Sequence, residues 1–394
     1  MPPSGVPVSA MHARRAALAA AVVGAGLLLA GPARAFPQWQ FSAGAARCDQ
    51  CHFAPAGGGL LTGYGQDAAG EELATFGGNG AFLHGAQSLP RWAELGGDFR
   101  GAFVAEDVQD PTGPKVAAFP MQAQLAGRLT FGDFSAYASV GDRGQIRGND
   151  NLVPQQNYQP ITASWLISPE HYVMWRPSPV GPYVRAGRFF APFGMRFAEH
   201  TLYVRRDTGF NLMQETYNLS GGYVTDDLEL HVTAFAPDFV RHMGSTESGV
   251  AAYFERRFLD ATGSIAVQAR YASAPGAART IVGAIGKYWL APARTLFLIE
   301  TDLIHREAGS AGGSDGFVGA AGVAVLPIRG LMATLLAERT QTDVSAADTA
   351  TNAATGLVSW FPYAHFEAQL MGQLAFPSGM PAAKTFLVQV HYFL

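Results

Sequence analysis

Cysteine, lysine and charge are scarce in this sequence. Its 394 residues include two Cys and three Lys (Lys115, Lys287 and Lys384), and 15% of them are charged. Two cysteines exclude a disulfide framework. A charged fraction well below the usual ~25% excludes a disordered tail and an ordinary well-solvated enzyme surface. Although Arg supplies nearly all the cations, the net charge is −4. That excludes nucleic acid, which asks for a basic face. The apolar stretch Ala16–Ala30 has 15 residues, short of the about 18 that a membrane-spanning helix needs. No general acid/base constellation or nucleophile stands out. Glycine, by contrast, is abundant, at 46 residues against about 7% of an average domain.

The N-terminus carries an export signal. Arg14-Arg15 precede the apolar Ala16–Ala30, and Gly31-Pro32-Ala33-Arg34-Ala35 follows. A basic start, a short apolar core and a small-x-small site make residues 1–35 a secretory signal peptide. Cleavage after Ala35 leaves Phe36 first and removes three Arg and no acid, so the mature chain is more acidic still.

Both cysteines lie in Cys48-Asp49-Gln50-Cys51-His52. CxxCH is the c-type haem attachment signature. Each thiol adds across one haem vinyl group, and the adjacent imidazole reaches the iron. A structural zinc site needs four ligands, and no second Cys or His pair follows at close spacing. A thioredoxin-like pair needs a βαβ setting, which is absent. The expectation is one covalently attached haem c on Cys48 and Cys51 with His52 as proximal iron ligand. Residues 36–94 contain no Met, and their other His is His84. His84 is the candidate distal ligand; the alternative is water or a barrel side chain, with His231 and His391 as fallback.

From about residue 95 the apolar period is two. In Met121–Phe131 the odd positions are apolar or Gly and the even positions carry Gln122, Gln124, Arg128 and Thr130. Phe366, Ala368, Leu370, Gly372 and Leu374 likewise alternate with Glu367, Gln369, Met371 and Gln373. One face suits lipid and the other water. Sixteen strands can be placed, from 95–105 to 385–394; the fourth, 160–176, is interrupted by Pro169. Tight turns such as Gly132-Asp133 and Asp226-Asp227 alternate with long polar connections such as 143–159, 191–216, 236–248 and 341–352. Short turns at one end, long loops at the other and an even strand count describe an antiparallel transmembrane β-barrel of the outer membrane. A soluble all-β protein of stacked sandwiches would lack that length bias. A lipid-facing belt also explains the charge deficit. The expected domains are signal peptide 1–35, monohaem segment 36–94 and barrel 95–394.

This order resembles the fused outer-membrane cytochrome–porin family of iron-oxidising bacteria. The similarity rests on Ala35-Phe36-Pro37 at the cleavage site, Cys48–His52, Pro55, and Leu61-Thr62-Gly63-Tyr64-Gly65. Tyr64 stands for the family's Phe, Gly57-Gly58-Gly59 looks like a small insertion, and Phe41–Arg47 does not keep the Phe-Ala-Arg-Gln stretch. The resemblance implies electron exchange between an extracellular metal donor or acceptor, Fe(II) in that family, and a periplasmic c-type cytochrome or other carrier.

A haem segment this short buries little surface alone, and a sixteen-strand barrel encloses a wide lumen. The segment is therefore expected to plug the lumen from the periplasmic side. The connection 191–216 either folds inward, with Arg196, Arg205 and Arg206 facing haem propionates or an anion, or forms a solvated surface loop. Glu199 and His200 in it could bind a metal ion transiently. Two further functions compete: a diffusion porin for small anions or solutes with a haem-bearing plug or redox gate, and a sheath for a separate multihaem cytochrome.

Overall fold

The computed structural model describes residues 37–42, 44–107, 115–142, 158–159, 167–199, 201–211, 214–240, 244–309 and 312–394. The expected signal peptide, Phe36 and His200 lie outside them.

Among the described residues sixteen strands close into one antiparallel barrel. In chain order they are β1 (Ala93–Asp107), β2 (Lys115–Phe131), β3 (Phe134–Asp142), β5 (His171–Trp175), β6 (Gly181–Phe189), β7 (Thr216–Val224), β8 (Leu228–Ala236), β10 (Ser248–Phe258) and β11 (Gly263–Ala274). The wall continues through β12 (Ala277–Leu290), β13 (Thr295–Glu307), β14 (Gly313–Ile328), β15 (Leu331–Gln341), β16 (Ala350–Trp360), β17 (Phe366–Pro377) and β18 (Ala383–Phe393). Two short strands, β4 (Tyr158–Gln159) and β9 (Gly244–Ser245), pair outside the wall. The seam closes where β1 meets β18, from Asp98 opposite Phe393 to Asp107 opposite Lys384.

Prolines mark the irregularities. Pro120 cannot donate to a ladder, and the β1–β2 register shifts there, Arg100 facing Gln122 but Gly101 facing Pro120. Pro327 does the same to β14 and β15, so β14 runs to Ile328, beyond the expected end at 326. The fourth barrel strand is shorter than expected: β5 begins at His171, after Pro169, and residues 160–166 lie outside the described ones.

The alternation places side chains as their chemistry asks. On β8, Glu229, His231 and Thr233 are buried inward while Leu230 and Val232 are exposed outward. Leu125, Val184, Leu219, Phe254, Val267, Ile299, Leu335, Leu370 and Val390 extend this exposed apolar belt around the wall. A surface of that extent is not found on soluble monomers; it is a lipid-facing surface. Phe131, Phe134, Tyr223, Phe258, Tyr288 and Phe297 are exposed near the short-turn end, where barrels carry an aromatic girdle.

The inner face is less polar than its water-facing reading implies. Leu296, Leu298, Ile304, Leu326 and Leu336 also point inward and join one buried cluster with Trp39, Phe41, Phe193 and Leu202. The lumen is therefore packed. At the long-loop end one connection departs from the pattern: Pro275-Gly276 joins β11 to β12 directly, Gly276 taking φ +77 as the third residue of a tight turn does.

Candidate functional site inside the barrel

Trp39, Phe41, Leu60 and Leu73 pack in clusters with inward side chains of the wall, and the segment that carries them docks at the short-turn end. Amides of Thr75 and Phe76 donate to Phe361 O and Pro362 O, each at 2.8 Å. Arg329 Nε donates to Ala74 O at 2.6 Å. These contacts join the segment to the turn between β16 and β17 and to the turn between β14 and β15.

Within it Cys48–Cys51 form a single helical turn, closed by the His52 amide on Cys48 O at 3.1 Å. The Gln50 side chain accepts the Arg47 amide at 2.9 Å. Asp49 is fully buried, and Arg47 Nε donates to it at 3.0 Å. Arg176, in the turn between β5 and β6, also binds Asp49, and Arg47 reaches Asp226 in the turn between β7 and β8. These charges fasten the motif to two turns of the wall.

After His52 the chain doubles back. Phe53 donates to Leu60 O at 3.1 Å, and Thr62 donates to Cys51 O at 3.0 Å. The bend between them is Gly57-Gly58-Gly59, with φ of +81, +81 and +65, values that side-chain-bearing residues rarely adopt. A Cβ on Gly57 would lie 3.3 Å from Cys48 Cβ, 3.8 Å from its Sγ and 4.0 Å from His52 Cδ2. The apparent insertion thus lets backbone close over the motif. Thr62 Oγ1 caps the next helical turn, Gly63–Asp67, by accepting the Gly65 amide at 3.1 Å. A Cβ on Gly65 would meet Cys51 O at 2.2 Å, so the Leu-Thr-x-x-Gly stretch also serves close packing against the motif.

Cys48, Cys51 and His52 line one cavity of about 300 Å³, at the lower end of ligand-pocket sizes. Both thiols are free. Burial pushes the Cys48 thiol up and the Cys51 thiol up to about 12. A redox or nucleophilic cysteine calls for the opposite shift. Two free thiols and a buried imidazole facing one space, with a glycine loop held open beside them, is a donor set that fits a covalently attached haem c.

The connection 190–215 folds inward. Its Phe193 and Leu202 are completely buried, and it contains one short helix, Tyr203–Thr208. Amides along it donate to the wall: Gly194 to Gln268 at 2.6 Å, Met195 to Glu300 at 3.0 Å and Tyr203 to Glu338 at 2.8 Å. Of the three Arg expected at the cavity, Arg196 and Arg205 line it. Arg196 donates to Ala56 O of the plug at 2.7 Å and to Glu229 at 3.1 Å. Arg206 instead pairs with Asp207 at 2.7 Å. Glu199 accepts from Gln369 at 3.0 Å; His200 is not described.

The structure does not bring His84 to the other motif residues. It is exposed on the turn Phe82–Gly85, its ring 4.2 Å from that of His365, and it does not line the cavity. His231 and His391 are buried and inward as expected, yet neither lines the cavity. His231 sits between Glu229 at 2.8 Å and Tyr183 at 2.6 Å, and His391 between Glu367 at 3.0 Å and Asp98 at 3.2 Å. Met195, which sequence reasoning missed, does line it. Its signal was the apolar character of Phe193, Met195, Phe197, Leu202, Tyr203 and Val204 in a connection read as polar.

The wall superposes on solved barrels. It resembles a loop-deleted form of OmpT of Vibrio cholerae with a TM-score of 0.55 at 10% identity, covering 77% of this chain and 99% of that one. OprB of Pseudomonas putida gives 0.56 at 9% identity over 77% and 94%. The anion-selective porin of Comamonas acidovorans gives 0.55 at 10% identity over 77% and 99%. The fold is that of the outer-membrane porins. A porin fold with an apolar outer belt places this chain in an outer membrane. No protein-family model and no curated protein matches the chain, so the likeness to cytochrome–porins rests on the N-terminal motifs.

Proposed function

We propose that this porin-fold protein carries electrons across the outer membrane, between an extracellular donor and a periplasmic carrier, with a single haem c held in the lumen. The observation that carries this reading is the convergence of Cys48, Cys51 and His52 on one lumenal cavity. When bound, the haem supplies reversible one-electron chemistry. Cys48 and Cys51 would hold it covalently and His52 would ligate its iron. Arg196 and Lys287, which also line the cavity, provide positive charge for carboxylate groups. Trp39, Leu60, Leu73, Phe189 and Phe197 supply an apolar part of the lining for the macrocycle. Fe(II) is the donor that the sequence resemblance suggests, and a periplasmic c-type cytochrome the acceptor.

The second reading is a diffusion porin for small anions or solutes with the plug as a redox gate. The porin fold favours it; the packed lumen opposes it, since solute flux needs the plug or the 190–215 connection to move. In proteoliposomes, external Fe(II) that reduces the haem band supports electron transfer, whereas solute flux with an unreactive haem supports the porin. Cys48→Ala combined with Cys51→Ala abolishes haem peroxidase staining on a denaturing gel. Staining that survives refutes the attachment site.

A further inference from the structure

Met195 lies on the inward connection, far from the haem-binding motif in sequence. It lines the same cavity as Cys48, Cys51 and His52 and is 4% exposed. Among the described residues lining that cavity, His52 is the one imidazole and Met195 the one thioether. The other candidate donors are engaged: Lys287 Nζ binds Glu255 at 2.8 Å, the Tyr253 hydroxyl donates to Glu255, and Arg196 binds Glu229.

The backbone around Met195 is held in an unusual shape. Gly194 has φ +71 and Arg196, with a side chain, has φ +59. A non-Gly residue in that region is strained and persists only where its surroundings over-determine it. Here they do. Gln268 and Glu300 hold the amides of Gly194 and Met195, and the Arg196 side chain spans Glu229 and Ala56 O. Closing the lumen asks only for bulk; a strained bend held at four points, with the cavity-lining Met195 at its centre, asks for more.

We propose that Met195, together with His52, would hold the haem iron, so that the plug would supply one ligand and the connection 190–215 the other. This rests on the haem reading given above. Soft thioether sulfur suits iron in the reduced state, and His/Met ligation raises the haem potential relative to bis-His. It also replaces His84 as the distal candidate, and it ties plug to wall through the cofactor itself.

The test uses purified holoprotein. Ferric wild type is expected to be low-spin and to show the near-infrared charge-transfer band of thioether ligation in magnetic circular dichroism. Met195→Leu, which conserves volume, is expected to keep covalent haem on a denaturing gel but turn high-spin. Met195→His is expected to restore a low-spin spectrum at a lower midpoint potential. Wild type without the thioether band, or Met195→Leu with covalent haem and an unchanged low-spin spectrum, overturns the inference and leaves the haem reading intact. Wild type without covalent haem overturns both. If Met195→Leu fails to fold, Met195→His decides: loss of the thioether band with a low-spin spectrum retained supports the inference, and an unchanged band overturns it.

Discussion

Asp49→Ala removes the carboxylate that joins the Cys48–Cys51 turn to the barrel wall. Its side chain is fully buried, and those of Arg47 and Arg176 are 8% and 12% exposed. Breaking a buried pair costs about 3–5 kcal/mol, because a charge is left without compensation. Arg47 keeps Asp226 and Arg176 keeps the Pro179 carbonyl, which puts the loss near the lower figure. About 3 kcal/mol taken from plug docking raises the open population by roughly a hundredfold. Labelling of Cys48 and Cys51 in the refolded, haem-free protein by a maleimide too large to enter the cavity reads this directly, since such a reagent reaches them through the opened plug and tracks its population when reclosing is fast. The rate is expected to rise by about two orders of magnitude. Asp227→Ala, which removes an exposed contact to Arg256 at 3.8 Å, should leave it within about twofold, as surface pairs contribute little. A change below about threefold in Asp49→Ala would refute the argument that this triad anchors the plug.

Further outcomes can be checked separately. Gly57→Val combines a forbidden φ with a contact to Cys48 and should lower plug stability by about 1–3 kcal/mol, seen as reduced covalent haem yield; full yield counts against a built cradle. His84→Ala should leave the haem spectrum unchanged, because His84 faces His365 outside the cavity; a spin-state change would restore it as ligand. Burial lowers His365 from 6.5 to about 4, so the docked plug favours its neutral form. Docking strength is complete above pH 6.5 and declines as the pH falls toward 4. Hydrogen exchange at the Thr75 and Phe76 amides, corrected for intrinsic rates, should quicken over that interval, and pH-independent protection would exclude the linkage. Ile299→Lys on the outer belt should destabilise the barrel in bilayers by about 2–4 kcal/mol, measured by refolding titration.

The barrel was legible because β-strands in a wall obey a strict two-residue period and lipid tolerates few exceptions. Even Met121–Phe131 and Phe366–Leu374 point as their pattern says, with Gln124, Glu367 and Gln369 inside and Leu125 and Leu370 outside. β13 was harder, since Leu296, Leu298 and Ile304 are inward and apolar alongside outward Phe297, Ile299 and Leu303; the buried cluster they join is not encoded in that strand. The cavity's near side was legible in the local spacing of Cys48, Cys51 and His52. Its far side was not. Met195 and Arg196 reach it from a connection more than a hundred residues away, through a fold-back that period and spacing do not encode. His84 was favoured by proximity in sequence, and the docking of its turn against His365 carried it elsewhere.

The seam between β1 and β18 sets a timetable. The plug leaves the ribosome first, yet part of the surface it docks on is made last: Phe361, Pro362 and His365 between β16 and β17, and Phe393 in β18, against which Ala69 packs. Leu60 lies so close to Gly96 beside the Leu394 carbonyl that a Cβ there would meet it at 2.4 Å. Until the final strand arrives, the plug has half a dock. Closing β1 on β18 therefore completes two things at once, the wall and the dock for the segment that carries Cys48 and Cys51.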